Sequence, residues 1–129
     1  MTARPLVYPW LVLIHHVLLR VSDLERSAAF YDAMLAPLGW RRHLDPNGGV
    51  GWGIAKPCLF ITEGEAAPNF GMVSFSAPGL AAVKAAWEGG VNGGGQSITP
   101  PAGGGGQGPY SAAVADPDGH QIELLVSTD

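Results

Sequence analysis

An internal repeat is the feature of this sequence that most restricts its fold. When the chain is shifted against itself by 56 residues, the apolar positions Val17, Leu24, Tyr31 and Leu35 fall on Val73, Leu80, Trp87 and Val91. His16 falls on Met72 in the same alignment, and with a slightly different shift Phe60 falls on Glu123. Self-similarity over a period of this size indicates a duplicated supersecondary unit. We therefore predict two similar units along the chain.

The first unit is predicted to be strand, helix and three further strands. A β-rich run from Leu11 to Val21 precedes Ser22, whose spacing to Glu25 is that of a capping box. A helix should therefore begin at about Asp23 and end near Leu38, where proline and glycine follow. Three short strands are then predicted at 40–44, 50–55 and 58–62, with a turn at 45–49.

The second unit is predicted to have the same order of elements. A strand at 72–77 precedes Pro78, which favours the first turn of a helix. Glycines 89–90 and 93–95 predict that this helix ends there. A short strand around Ile98, a glycine-rich loop at 100–109, a strand at 110–115, a tight turn at 116–119 and a last strand at 121–126 complete the unit.

These patterns together predict one α+β domain over residues 1–129, built from two β-α-β-β-β units. The first unit covers about 11–63, a linker covers about 64–70, and the second unit covers about 71–127. The length of 129 residues is that of one ordinary domain.

Composition restricts the partners and the compartment. Hydrophobic residues make up 47% of the chain and charged residues only 14%, so part of the apolar surface is expected to be covered in a homodimer. A net charge of −4 with scattered lysine and arginine gives no electrostatic footprint for nucleic acid or an anionic membrane. The apolar stretch from Leu11 is broken by His15 and His16 and is too short to span a bilayer. The single Cys58 allows no internal disulfide, which fits the reducing cytoplasm.

Two segments of the sequence carry a resemblance to a known superfamily. The opening segment contains Ile14-His15-His16-Val17 and Val21-Ser22-Asp23-Leu24-Glu25-Arg26-Ser27, and the closing segment reads Asp116-Pro117-Asp118-Gly119-His120-Gln121-Ile122-Glu123. Together these segments resemble the glyoxalase / bleomycin-resistance / extradiol-dioxygenase superfamily, also called vicinal oxygen chelate proteins. The resemblance covers Leu13 to Val126. It implies that the two mixed sheets curl into a cup or half-barrel with the helices outside, and that the cup receives a small-molecule ligand.

The same resemblance implies where a divalent metal would bind. Mapped onto this chain, the usual ligand positions are His16, Phe60, Met72 and Glu123, and metal-dependent members usually carry histidine where Met72 stands. His16 and Glu123 would therefore be the metal ligands, with Zn, Fe, Mn or Ni as candidate ions. A catalytic metal needs about three protein ligands and an open position, and thioether sulfur favours soft ions such as Cu(I). The departure at Met72 consequently leaves open whether any metal binds.

Three other histidines could replace the missing ligand. His15 neighbours His16 on the predicted strand, so alternation should turn it to the opposite face. His120 lies in the turn before the strand of Glu123, where a side chain has little access to the cup. The position of His43 near the second strand does not decide its direction.

Glu123 lies within an otherwise apolar strand. An ionised carboxylate inside a cup is costly unless it is paired, hydrogen-bonded or metal-bound, so the residue either faces a polar cup or the wet face of the sheet. In a pocket it could act as the catalytic general base. Four further residues are candidates for substrate binding, with core packing as the alternative for each: Trp52, Phe60, Met72 and Tyr110.

Three functions remain open at this point. The first is a metal-assisted lyase, isomerase or dioxygenase with a weakened metal site. The second is a metal-free binding or resistance protein for an antibiotic or aromatic ligand. The third is a dimeric interaction domain with a vestigial cup. Fold alone does not separate them.

Overall fold

The computed structural model describes residues 14–44 and 48–126 of the chain. The first unit contains β1 (Val17–Val21), α1 (Leu24–Leu35), β2 (Arg41–Leu44), β3 (Val50–Gly53) and β4 (Pro57–Glu63). The second contains β5 (Met72–Ala77), α2 (Leu80–Asn92), β6 (Gln96–Ala102), β7 (Ser111–Ala115) and β8 (Gln121–Val126). The predicted start of the first strand at Leu11 and part of the turn after Leu44 lie outside the described residues.

Two four-stranded mixed sheets confirm the duplicated unit. Their strand orders are β1-β4-β3-β2 and β5-β8-β7-β6, so each unit pairs its first and last strands. These first-to-last pairings are parallel and the remaining ones antiparallel. The register repeats as well, because Val17 lies opposite Leu59 as Val73 lies opposite Ile122. The sheets do not close into a barrel, and β1 and β5 each form a sheet edge.

One continuous hydrophobic core joins the units. Each sheet buries alternate residues, as strand geometry requires, and these include Leu59 and Ile61 of β4 and Ile122 and Leu124 of β8. Helix α1 contributes Phe30, Tyr31, Met34 and Leu35 to the same core. Within the described ranges, neither helix is long and apolar enough to cross a membrane.

Helix α2 continues through Gly89 and Gly90, the first glycines at which the sequence predicts its end, and stops at Asn92, before the glycines at 93–95 that are also predicted to end it. Gly89 faces α1 at very close range. A Cβ atom at Gly89 would lie 2.2 Å from the carbonyl oxygen of Ala33. Glycine here therefore serves the approach of two helices and not the termination of one, a role that helix propensity does not reveal.

The capping residue of α1 also differs from the prediction. Asp23, not Ser22, is the N-cap, and its carboxylate accepts a hydrogen bond from the backbone N–H of Arg26 at 3.0 Å. Ser22 instead donates its backbone N–H and its hydroxyl to Asp118 in the closing turn. Burial alone would raise the pKa of Asp118, but the hydrogen bonds from Ser22 and the charge of Arg26 outweigh it and lower that pKa.

A buried carboxylate connects the closing turn to α1. Asp116 accepts the hydroxyl proton of Tyr31 at 2.7 Å and lies 2.8 Å from Nδ1 of His120, which faces it as a donor. The backbone N–H groups of Asp118 and His120 also donate to it. Burial and then the charge of Asp116 raise the pKa of Tyr31 well above its ordinary value. The Asp-Pro-Asp-Gly-His turn is thus a structural anchor.

Strand β6 extends across Pro100 and Pro101, where the sequence predicts a loop. β6 is the outer strand of its sheet and pairs only with β7. Proline is tolerated at such an edge because the missing N–H would have pointed away from the sheet.

Candidate functional site

A cavity of about 640 Å³ is lined by the start of edge strand β1 and by edge strand β5. We call it the β1–β5 pocket. The first unit lines it with residues 14–17, 40, 54 and 58–59, and the second unit lines it with residues 72–76. Because both units contribute, the pocket depends on the way they pack together.

His16 lies in this pocket directly before β1 begins. Its ring meets the ring of Phe60 edge to face, with centroids 5.4 Å apart. Its Nδ1 lies 3.0 Å from Nδ1 of His15, which lines the same pocket. His15 therefore does not turn to the opposite face, because residues 15 and 16 precede the strand and escape its alternation. The contact uses one ring nitrogen of each histidine and leaves each Nε2 for other partners.

Met72 and Ser74 line the pocket from β5. Met72 is 49% exposed, and Ser74 lies directly opposite Glu123 in the parallel pairing of β5 with β8. The Ser74 hydroxyl donates a hydrogen bond of 2.6 Å to Oε1 of Glu123. Thus the carboxylate predicted for the site is half-buried and connected to the pocket through a serine hydroxyl.

The other predicted ligand-binding residues lie in different places. Phe60 packs against His16 and over Gly51, where a Cβ would lie 2.8 Å from its ring. Trp52 is fully buried against α1, and its indole N–H donates to Asp32 at 2.9 Å. Tyr110 lines a separate cavity of about 610 Å³ below the glycine-rich loop. The structure therefore brings together His16 and Met72, but places Trp52 and Tyr110 elsewhere.

The remaining histidines do not line the β1–β5 pocket. His43 pairs with Gly51 across β2 and β3, and its Nε2 is buried with no hydrogen-bond partner in the described part of the chain. His120 is 1% exposed and is held at Asp116. Neither residue therefore supplies the histidine ligand that metal-dependent members of the superfamily usually carry at the position of Met72.

The side chains of this pocket do not fit a divalent metal held by three protein ligands. Over residues 14–44 and 48–126, no group of three or more His, Cys, Asp and Glu side chains is arranged to hold a metal ion. His16, Met72 and Glu123 supply one imidazole, one thioether and one carboxylate, and the thioether suits soft ions and not Zn, Fe, Mn or Ni.

Several pocket residues were not found from the sequence. Ser74 and Ser76 share a face of β5 with Met72, so strand alternation from Met72 was the signal that could have identified them. Trp40 and Phe75 form an edge-to-face pair with centroids 5.1 Å apart, and no sequence pattern linked them. Cys58 also lines the pocket, and partial burial raises the pKa of its thiol.

Comparison with known proteins agrees with this architecture. The family model described as Glyoxalase/Bleomycin resistance protein/Dioxygenase superfamily matches residues 13–124. No curated protein sequence matches the chain. A glyoxalase/bleomycin resistance protein from Albidiferax ferrireducens is similar in structure, with a TM-score of 0.71, 29% identity, and coverage of 87% of this chain and 96% of that one.

Two further structures show the same likeness. A hypothetical protein from S. aureus has a TM-score of 0.70 at 26% identity and covers 91% of this chain and 95% of its own. A mutant of the fosfomycin resistance protein FosX from Listeria monocytogenes, complexed with Mn(II) and dihydroxypropylphosphonic acid, has a TM-score of 0.68 at 20% identity and 92% coverage of both chains. The last likeness shows the fold alone. Because the family model matches residues 13–124 of the 129, the chain belongs to the glyoxalase/bleomycin resistance protein/dioxygenase superfamily.

Proposed function

We propose that this chain is a metal-free small-molecule binding protein whose ligand occupies the β1–β5 pocket. The observation that carries the proposal is a cavity of about 640 Å³ formed jointly by the two units. Ligand sites are typically of this size, with mostly apolar and aromatic walls and a few polar groups. Trp40, Phe75, Ile54 and Met72 supply such walls, and the polar groups are two histidines and two serines.

The lack of charged side chains among the described lining residues restricts the class of ligand. None of the described residues that line the pocket is Lys, Arg, Asp or Glu. An ionised ligand would lose its water there without gaining an opposite charge, which costs free energy. The proposed ligand is therefore an uncharged aromatic compound or an uncharged, largely apolar antibiotic.

The test measures binding of methoxynaphthalene by calorimetry and by thermal shift. A ligand that binds only the folded chain raises the melting temperature, by an amount that grows with the logarithm of its free concentration once that exceeds Kd. Ile54→Glu places a charge on the pocket wall and should weaken binding at least about tenfold. Ile98→Glu is the matched control, because Ile98 is also exposed but lies on β6 outside the pocket. If neither methoxynaphthalene nor the related naphthol and naphthoate bind the unmodified chain or raise its melting temperature, the proposal is rejected.

A second candidate function is a lyase, isomerase or dioxygenase reaction with Glu123 as general base. It is favoured by one contact, because Ser74 lines the pocket beside His16 and holds the Glu123 carboxylate. His16 and Glu123 would be the two ligands of any weakened metal site. Metal analysis after incubation with Zn, Fe, Mn or Ni tests this, with His16→Ala as the variant and His43→Ala as its control. Equal metal content in all three proteins would count against a role for His16.

We also propose that the chain forms a homodimer in a reducing cytoplasm. Strand β1 is a sheet edge with one row of unpaired backbone groups, and it carries Leu18, which is 52% exposed, so a second copy of the chain has an edge to cover. Light scattering after size exclusion should give twice the mass of 13.4 kDa, and Leu18→Lys should reduce it. A monomer at all concentrations of the unmodified chain contradicts the dimer.

A further inference from the structure

We infer that Ser74, held by Glu123, makes the β1–β5 pocket select ligands that carry an O–H or N–H hydrogen-bond donor. The inference rests on the proposed binding function and names the class of ligand more narrowly. Ser74 is the pocket residue whose hydroxyl has a fixed role, since its proton points to Oε1 of Glu123 at 2.6 Å.

The chemistry of the pair fixes what Ser74 can offer to a ligand. A serine hydroxyl has one proton to donate and two lone pairs to accept, and an ionised glutamate only accepts. Once the proton is donated to the carboxylate, the lone pairs of Ser74 Oγ remain available. A hydrogen bond to a carboxylate is stronger than a neutral one and polarises the hydroxyl, which improves Oγ as an acceptor. A ligand group that meets Ser74 must therefore donate.

The other polar groups of the pocket do not impose the same requirement. His15 and His16 share one Nδ1 proton between them, so their free Nε2 atoms can present a donor or an acceptor according to tautomer. Ser74 is exposed in the free protein, where water can reach its Oγ. An acceptor-only ligand can meet the histidine rings, but it covers Ser74 Oγ without giving it a donor, and this costs free energy. Anions meet the additional repulsion of the carboxylate behind Ser74. Neutral phenols, alcohols and amides are the favoured class.

Three ligands of similar shape test this by calorimetry: naphthol, methoxynaphthalene and naphthoate. Naphthol donates a proton, methoxynaphthalene only accepts, and naphthoate is an anion. The unmodified chain should bind naphthol about tenfold more tightly than methoxynaphthalene, the size of one well-formed hydrogen bond, and naphthoate most weakly. Ser74→Ala should remove the preference, because naphthol loses its acceptor and methoxynaphthalene no longer leaves Ser74 Oγ unpaired. Ser111→Ala is the control, because Ser111 lies on β7 and does not line the pocket, so the preference should stay intact.

The substitution Glu123→Gln tests whether the orientation of the Ser74 hydroxyl, and not only its presence, sets the preference. An amide can donate to Ser74 as well as accept from it, so the hydroxyl is freed and the preference for naphthol should fall although Ser74 remains. Comparing the three ligands on the unmodified chain requires no variant and stays decisive if a variant fails to fold. Equal affinity for naphthol and methoxynaphthalene overturns the inference while leaving the proposed function standing. Absence of binding by all three overturns both.

Discussion

The substitution Gly89→Ala separates helix propensity from helix packing. In an exposed helix, glycine to alanine stabilises by about 1 kcal/mol, because alanine loses less backbone entropy. In α2 the new Cβ would lie 2.2 Å from the carbonyl oxygen of Ala33 and 2.8 Å from its carbonyl carbon. These are backbone atoms of α1, so no rotamer change relieves the contact and one helix must move.

The expected result is a loss of stability of about 1–2 kcal/mol. Overpacking a core costs typically about 1–3 kcal/mol, and the higher helix propensity of alanine offsets part of this cost. Urea unfolding followed by tryptophan fluorescence measures this, with an unchanged m value required for the comparison. Gly106→Ala is the matched control, because a Cβ there meets nothing within 4 Å and the change should be close to neutral. If Gly89→Ala unfolds at the same or a higher urea concentration than the unmodified chain, the packing argument is refuted.

Three further predictions concern the closing turn and the pocket. Asp116→Ala should cost about 3–5 kcal/mol in urea unfolding, because it leaves buried donors unpaired, whereas Tyr31→Phe should cost only about 1–2 kcal/mol. The lowered pKa of Asp118 predicts stability that is complete above its ordinary value and is lost as pH falls through the lower, folded value, so Asp118→Asn should destabilise the chain at pH 7 and progressively less in acid. The raised pKa of Cys58 predicts slower alkylation at neutral pH than a free thiol shows, and bound ligand should slow it further because Cys58 lines the pocket.

The architecture could be predicted because the hydrophobic periodicity of each element and the internal repeat are both recognisable in the sequence. The bounds of β5 and β8 agree with the prediction to the residue, since each is a strand with plain alternation between clear turns. Errors arose where tertiary contact decides. Gly89 appeared to end a helix because its close neighbour Ala33 is distant in sequence. Ser22 appeared to be a cap because its partner Asp118 lies 96 positions away.

The candidate site was less accessible to sequence reasoning than the fold. Strand alternation misplaced His15 because the strand begins only at Val17. Strand alternation also could not show that Trp52 faces α1, where the carboxylate of Asp32 accepts a hydrogen bond from the Trp52 indole N–H. The same alternation, carried on from Met72, would have identified Ser74, but its link to Glu123 depends on a register that only the paired strands define.

The bonds that attach the closing turn to α1 have a consequence for synthesis on the ribosome. Ser22, Arg26 and Tyr31 are synthesised 85 to 96 residues before their partners Asp116 and Asp118. The first helix consequently waits with these polar groups bound to water until residues 116 to 118 have left the exit tunnel. We expect stalled nascent chains whose residue 116 is still inside the tunnel to be readily digested by protease, and chains extended until residue 126 has left the tunnel to become resistant in one step.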